Sequence, residues 1–461
     1  MSDTSALVDD LRAALARHAE ARGVPAAAVA VVVGDEIVEH AVGQLSTATG
    51  VTATTDSVFQ IGSITKVWTA TMVMQLVDDG LVDLDAPITQ YLPELRLADD
   101  DAPAAITVRH LLSHRSGFEG DIFTDTGRGG DAVEKYVDLL ASAAQIFTPG
   151  ALFSYSNAGY VVLGRLIERM RDTTWEQALV ERLAAPLGLS TVSPSPYEAI
   201  LHRAAVGHVG PDENGVQTPA PFWALARSNE PAGSMLAMSA HDLAVFARAH
   251  LRDGATPEGG SILSPASVAA MRRTEVRLPR LAGMGAAWGL GWEIAREGDA
   301  LLFGHDGNTV GQSSFLRIAP DAGVAIVLLT NGGDAAGLFH DVVDPLLRGL
   351  TGHGLPEEPV PAADATTDGA DAFLGVYANS TVEMEVERDD AGRLWLEQRP
   401  RPELRALGAE PSRDELVRFS GDALILRERK DGMHVVLAFL EPGDDGRASF
   451  LHVGRAVARS S

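Results

Sequence analysis

Apolar residues recur every three to four positions over about residues 4 to 21, with Leu7, Leu11, Ala14 and Leu15 on one face. That spacing predicts an amphipathic helix. Two apolar runs follow, 27–33 and 36–42, on either side of Gly34-Asp35, the pattern of a two-stranded hairpin. Helical spacing then dominates about residues 63 to 252. Strand-like runs return at 290–295, 301–304, 312–319 and 324–330, the last two flanking the turn Pro320-Asp321-Ala322-Gly323, and a helical pattern over 335–350 closes the series. Strands at both ends with helices between them predict one antiparallel sheet assembled from distant parts of the chain. The architecture expected over 1–350 is α/β with an inserted helical lobe.

Residues 351–372 lose all periodicity and are rich in Pro, Ala and acids, which reads as a linker. From Phe373 the pattern changes to short alternating runs at 381–387, 393–398, 415–419, 423–428, 433–439 and 448–453, separated by turns such as Asp390-Ala391-Gly392. A small β-barrel is therefore expected over 373–461.

The chain has 461 residues, with 37 Lys plus Arg against 63 Asp plus Glu, for a formal charge of −26. Nucleic-acid binding is disfavoured, because affinity for phosphate backbones comes from basic side chains displacing counterions. Cysteine is absent, which excludes disulfides, a thiol nucleophile and thiolate metal sites. The first 23 residues carry early acids rather than a basic patch and apolar core, and no run approaches the ~20 apolar residues that cross a bilayer. A cytoplasmic protein with no membrane partner is expected.

Only three residues are lysine, Lys66, Lys135 and Lys430, so a lysine within a motif carries weight. Lys66 stands three residues after Ser63 at the start of a helical pattern, and positions i and i+3 share a helix face. A serine hydroxyl is a weak nucleophile until a neighbouring base takes its proton, and a desolvated lysine can serve as that base. A second cluster, Tyr155-Ser156-Asn157, precedes another amphipathic helix; a tyrosine beside a lysine can relay protons, and an amide can fix a lysine or a substrate carbonyl. A third, Phe303-Gly304-His305-Asp306-Gly307-Asn308, ends an apolar strand along which a substrate could lie. The backbone N–H groups of Ser63 and Asn308 are candidate oxyanion donors. His110 and His114 have the four-residue spacing of metal-binding helices but lack the intervening glutamate of H-E-x-x-H, and no metal or other cofactor is expected.

S-x-x-K, Tyr-x-Asn and a His-x-Gly strand, in this order, resemble the serine β-lactamase and penicillin-binding-protein superfamily. The likeness takes in Ile106 to Gly117 and the Pro149-Gly150 run, and covers about residues 5 to 350. It implies Ser63 as the acylated nucleophile, Lys66 and Tyr155 as proton carriers, and Asn157 and His305 as supporting groups. Typical β-lactamases have Lys-Thr-Gly or Lys-Ser-Gly where this chain has His305-Asp306-Gly307, so weak antibiotic hydrolysis is expected. With its expected barrel, which the resemblance makes lipocalin-like, the chain is most similar to penicillin-binding-protein-type thioesterases. These take a peptidyl group from a carrier-protein thioester and release it as a macrolactam. In that reading the segment 211–234, with Phe222, Trp223 and Gly233, could exclude water from the ester. Gly307 lets substrate approach the strand, and Arg447 could reach in from the barrel. Intracellular esterases, D-stereospecific aminopeptidases or amidases, and a non-catalytic binding module are the alternatives.

Overall fold

A computed structural model describes residues 4–210, 216–281, 283–402, 405, 409–430 and 432–460, with side chains from residue 10 onward. Pro211 to Gly215 of the expected water-excluding segment, and the side chain of Leu7, lie outside the described residues.

Ala26–Val33 and Glu36–Ser46 form the expected hairpin, and Val324–Thr330 pairs with the other edge of Ala26–Val33. The sheet continues through Ser313–Ala319, Ala300–Asn308 and Glu293–Glu297 to two short strands, every pairing antiparallel. It is buried on both faces, which explains why Ala26–Val33 is a continuous apolar run rather than an alternating one. Ala27, Val29 and Val31 pack with Leu11 and Leu15 of the helix Thr4–Ala21 and with Phe339, Val342 and Val343 of the helix Ala335–Thr351. Ala26, Ala28, Ala30 and Val32 face the helical lobe.

The central helix of that lobe is Thr65–Asp78, with eleven of its residues buried. Trp68 stacks on Phe246 at 4.1 Å between ring centres, and Trp175 donates to the Thr69 hydroxyl at 3.1 Å, which in turn donates to Pro231 O at 2.7 Å. These contacts clamp the first two helical turns, and that clamp matters for the site. No helix among the described residues is long and apolar enough to cross a membrane.

Eight antiparallel strands from Gly375–Ala378 to Ala456–Ala458 make the C-terminal barrel, in simple up-and-down order. Its ends meet through a bridge between Tyr377 and Arg459 and a bond from Ser460 N to Val376 O at 2.8 Å. Inside, Leu394, Leu396, Leu416, Leu424, Leu437 and Leu451 fill the barrel, with Phe373 stacked on Phe439 at 4.3 Å. The first and last strands are absent from the sequence-based expectation because each has only three or four residues and lacks alternation.

Candidate active site

Gly62-Ser63-Ile64 form one tight turn leading into the helix Thr65–Asp78. Gly62 has φ +50, and a Cβ there would lie 2.5 Å from Asn308 N. Only glycine lets the turn press against the end of the strand Ala300–Asn308. Gly233, at φ +110, presses from the opposite side, since a Cβ on it would meet Gly62 O at 2.2 Å and Ser63 N at 3.0 Å. Ser63 is thus held between two backbones.

Lys66 is fully buried, and its Nζ lies 3.0 Å from Ser63 Oγ and 2.6 Å from Ala232 O. Burial holds its pKa well below the usual lysine value; the positive charge of Arg455 acts in the same direction, and Asp121 opposes. A neutral amine is the form that accepts a proton from the hydroxyl it touches. Tyr155 places its ring centre 4.8 Å from Lys66 Nζ and stacks on His114 at 4.3 Å. Its buried hydroxyl has no hydrogen-bond partner among the described residues. Burial raises its pKa, against the opposing effects of the Ser63 side chain and Arg455.

His305 is buried, with Nδ1 2.6 Å from Asp306 O. A ring N–H donating to that carbonyl leaves Nε2 as an acceptor. Burial, then Lys66, push the His305 pKa down to about 3, so the imidazole is neutral at physiological pH. Beyond Gly304, which pairs with Glu293, no strand among the described residues pairs with that edge. Thr309 N donates to Gln312 O at 3.0 Å on the paired side, and strand alternation turns the preceding Asn308 N–H toward the free edge.

Arg455 reaches the same place from the barrel. Its Cζ lies 4.9 Å from the Tyr155 ring centre, and it pairs with Asp121 at 2.7 and 3.3 Å. Asp121 also accepts from Asn157 Nδ2 at 2.8 Å. The hairpin bearing Arg455 is fastened by Tyr155 N to Gly454 O at 3.0 Å, and by a contact between His452 Nε2 and Phe153 O at 2.8 Å. Ser63, Tyr155, Asn157, His305, Asn308 and Arg455 all line a cavity of about 600 Å³.

These positions amend several expectations. Arg447 sits in an exposed turn, its N–H on Asp445, and does not line the cavity; Arg455, eight residues later in the next turn, does. Trp223 packs on Val58, Ala199 and Ala237 and donates to Ala205 O at 2.8 Å, so it anchors its segment while the neighbouring Phe222, 44% exposed, faces the cavity. Gly307 serves packing, since a Cβ there would lie 1.9 Å from Ile61 O. Asn157 opens the helix Asn157–Arg171 and bonds Asp121 rather than Lys66. Asp121 and the Ala232 carbonyl have no signal in the sequence, for nothing local marks a partner so distant along the chain. His110 and His114 serve the backbone: His110 completes a capping box with Thr107, and His114 Nδ1 accepts from Ser156 N at 3.0 Å. Among the described residues no group of three or more His, Cys, Asp or Glu could hold a metal ion.

The Beta-lactamase family profile matches residues 11–343. The chain belongs to the Beta-lactamase family. Within it, Penicillin-binding protein 4 of Amycolatopsis lactamdurans is 43% identical over 357 residues, 77% of this chain and 93% of that protein. The crystal structure of SurE superposes with a TM-score of 0.81 at 30% identity, covering 99% of this chain and 100% of that one, barrel included. SurE with D-Leu gives a TM-score of 0.79 at 31% identity, again over 99% and 100%. The D-amino acid amidase of Ochrobactrum anthropi SV3, complexed with L-phenylalanine, matches at 0.59 and 27% identity over 71% of this chain and 91% of that one. The Beta-lactamase fold is that of a serine hydrolase or acyltransferase, and this chain carries a serine and a lysine in contact within it.

Proposed function

We propose that the protein is a penicillin-binding-protein-type thioesterase, which moves a peptidyl group from a carrier-protein thioester onto Ser63 and releases it by head-to-tail macrolactam formation. The observation that carries this reading is the barrel hairpin at Gly454-Arg455, which forms one wall of the nucleophile's cavity and puts a guanidinium there. Neutral His305 supplies no cation for a β-lactam carboxylate, which supports an acyl donor other than an antibiotic. The full-length likeness to SurE, solved with D-Leu, supports a peptide ending in a D-residue.

In the first half-reaction Lys66 takes the Ser63 proton as Oγ attacks the thioester carbonyl. The N–H groups of Ser63 and Asn308 hold the developing oxyanion. Collapse breaks the C–S bond, and the proton passes from Lys66 through Tyr155 to the departing sulfur. In the second, the peptide's own amine attacks the acyl-serine, its excess proton returns to Ser63 Oγ through Lys66, and the amide forms. Holding the ends of one chain together replaces a bimolecular step with a unimolecular one. On this proposal the protein works in the cytoplasm, with a peptidyl carrier protein as its partner.

The second reading is a D-stereospecific amidase or esterase using the same acyl-serine, favoured by the likeness to the D-amino acid amidase. One experiment separates them: a peptidyl thioester with a D-configured C-terminal residue, short acyl esters and D-amino-acid amides are incubated separately, and products are weighed. Cyclic product, lighter than the linear acid by one water, supports the thioesterase. Linear acid alone, with fast turnover of esters or amides, would sink it in favour of the hydrolases. Ser63→Ala is expected to abolish every one of these activities and the acyl-enzyme mass.

A further inference from the structure

Glu293 has no part in the steps above, yet its position is unusual. It begins the strand Glu293–Glu297, opposite Gly304, at the point where the edge of the His305 strand becomes free. It is 9% exposed, and its carboxyl makes no hydrogen bond or ion pair among the described residues. Its side chain has room because residue 285 is glycine: a Cβ there would lie 2.8 Å from Glu293 Cγ. The cavity containing Ser63 is lined by Glu293, and so is a second, larger cavity of about 1260 Å³ between the sheet's outer face, the barrel and the segment after Gly354. Glu293 therefore stands where the two spaces meet. An acyl chain tethered to Ser63 can loop through the larger space and bring its free end back past this carboxyl.

We propose that Glu293 is the docking group for the incoming amine: its carboxylate binds the ammonium of the second nucleophile and accepts one proton from it before attack on the Ser63 ester. This rests on the reading of amine release above. The balance is simple. The ammonium gives a proton to the Glu293 carboxylate and becomes an amine with a free electron pair. That pair forms the C–N bond, the C–O bond to Ser63 breaks, and the second proton leaving nitrogen reaches Ser63 Oγ through Lys66. The Glu293 carboxyl then loses its proton to solvent.

The charges around Glu293 fit the role. Arg317 and Asp306 face it from neighbouring strands and are paired bidentately with each other, so neither neutralises it directly. Tyr155 and Arg455 lie across the active-site cavity, and Arg280 lines the larger one from the 278–286 loop. Burial pushes the Glu293 pKa up to about 7, with Asp306 acting in the same direction and Arg317 against it. That is close to the ~7.7–8.0 of an α-ammonium, so proton transfer between them is nearly balanced.

The test uses the full chain with Glu293→Gln and Glu293→Asp and a peptidyl thioester, measuring thiol release and the ratio of cyclic to linear product. The single-turnover burst of thiol is expected to stay within about twofold in both variants, since acylation needs no amine. The cyclic-to-linear ratio is expected to fall roughly a hundredfold in Glu293→Gln, the scale of a lost general base, and to recover in part in Glu293→Asp. Hydroxylamine, an uncharged nucleophile, is expected to capture the acyl-enzyme equally well in Glu293→Gln and wild type. An unchanged ratio in Glu293→Gln, or an equal loss of hydroxylamine capture, would overturn the assignment. Absence of cyclic product from the wild type would overturn the amine-release reading itself and this role with it.

Discussion

Replacing Arg455 with Met keeps the length of the side chain and removes its charge, and two separable effects should follow. Asp121, 13% exposed, loses both guanidinium bonds and keeps only Asn157. A fully buried pair broken on one side costs about 3–5 kcal/mol. Because 36% of the Arg455 side chain meets solvent, a loss of about 1–3 kcal/mol is expected here. The second effect is on Lys66. Arg455 Cζ and Lys66 Nζ lie 4.9 and 4.8 Å from the Tyr155 ring centre. At most about 10 Å then separates the two charges, which corresponds to about 1.7 kcal/mol at an effective dielectric near 20. Solvent access to Arg455 reduces this to about 1 kcal/mol, or about 0.7 of a pH unit. The sign is upward: Arg455 lowers the Lys66 pKa, and its loss leaves the opposing Asp121 charge uncompensated. Single-turnover acylation of Ser63, followed by intact mass from pH 5 to 10, reports the protonation of the base. Its alkaline-going midpoint is expected to rise by about 0.7 or more in Arg455→Met. A lower melting temperature with an unmoved midpoint would refute the electrostatic role and leave Arg455 a purely structural fastening.

Three further outcomes are expected. Gly233→Ala forces a Cβ to within 2.2 Å of Gly62 O at a residue with φ +110; backbone strain alone costs roughly 1–3 kcal/mol, and calorimetry should show the loss together with collapse of Ser63 acylation. Lys66→Met removes a buried amine whose folded pKa is depressed. Between the lowered folded value and the ordinary lysine value the folded wild type binds fewer protons than the unfolded chain, so the variant should be the more stable below that range, with the gap closing as pH rises toward the ordinary lysine value in denaturant titrations. His250, buried beside Phe246 and Trp292, has its pKa lowered to about 3. Its contribution to stability is complete above the unfolded histidine value of about 6.5 and is lost as pH falls toward 3. His250→Asn should flatten the acid side of the stability curve, and an unaltered slope would argue against a neutral native imidazole.

What the sequence reveals about this molecule follows the range of the interactions involved. Ser63 and Lys66 are legible because their contact is set by one helical turn, and the hairpins because each is closed by its own turn residues. The alternation after Phe373 likewise announces a barrel, although strands as short as Gly375–Ala378 and Ala456–Ala458 leave too little pattern to read. Arg455 is different. Its partner Asp121 is 334 residues away, so nothing in its neighbourhood distinguishes it from Arg447. Trp223 and Gly307 fail for a related reason: an aromatic or a glycine near a site has the same local signature whether it meets substrate or packs on backbone. Glu293 shows the limit most plainly. Its isolation depends on Arg317 being already occupied by Asp306, a fact about three strands at once.

The clamp of the cavity between the Ser63 turn and the Gly454-Arg455 hairpin has a kinetic consequence. Groups that must meet across almost the whole chain pay their loop-closure cost late in folding. The helical lobe, rich in local contacts, can acquire its circular-dichroism signal first. Competence to acylate Ser63 should then lag behind that signal in a refolding experiment, and track the arrival of the barrel. Partly folded chains would hold a serine and a lysine in contact while lacking the wall that tunes them. Such a chain resembles the finished enzyme in outline while its base lacks the part of its lowered pKa that Arg455 supplies.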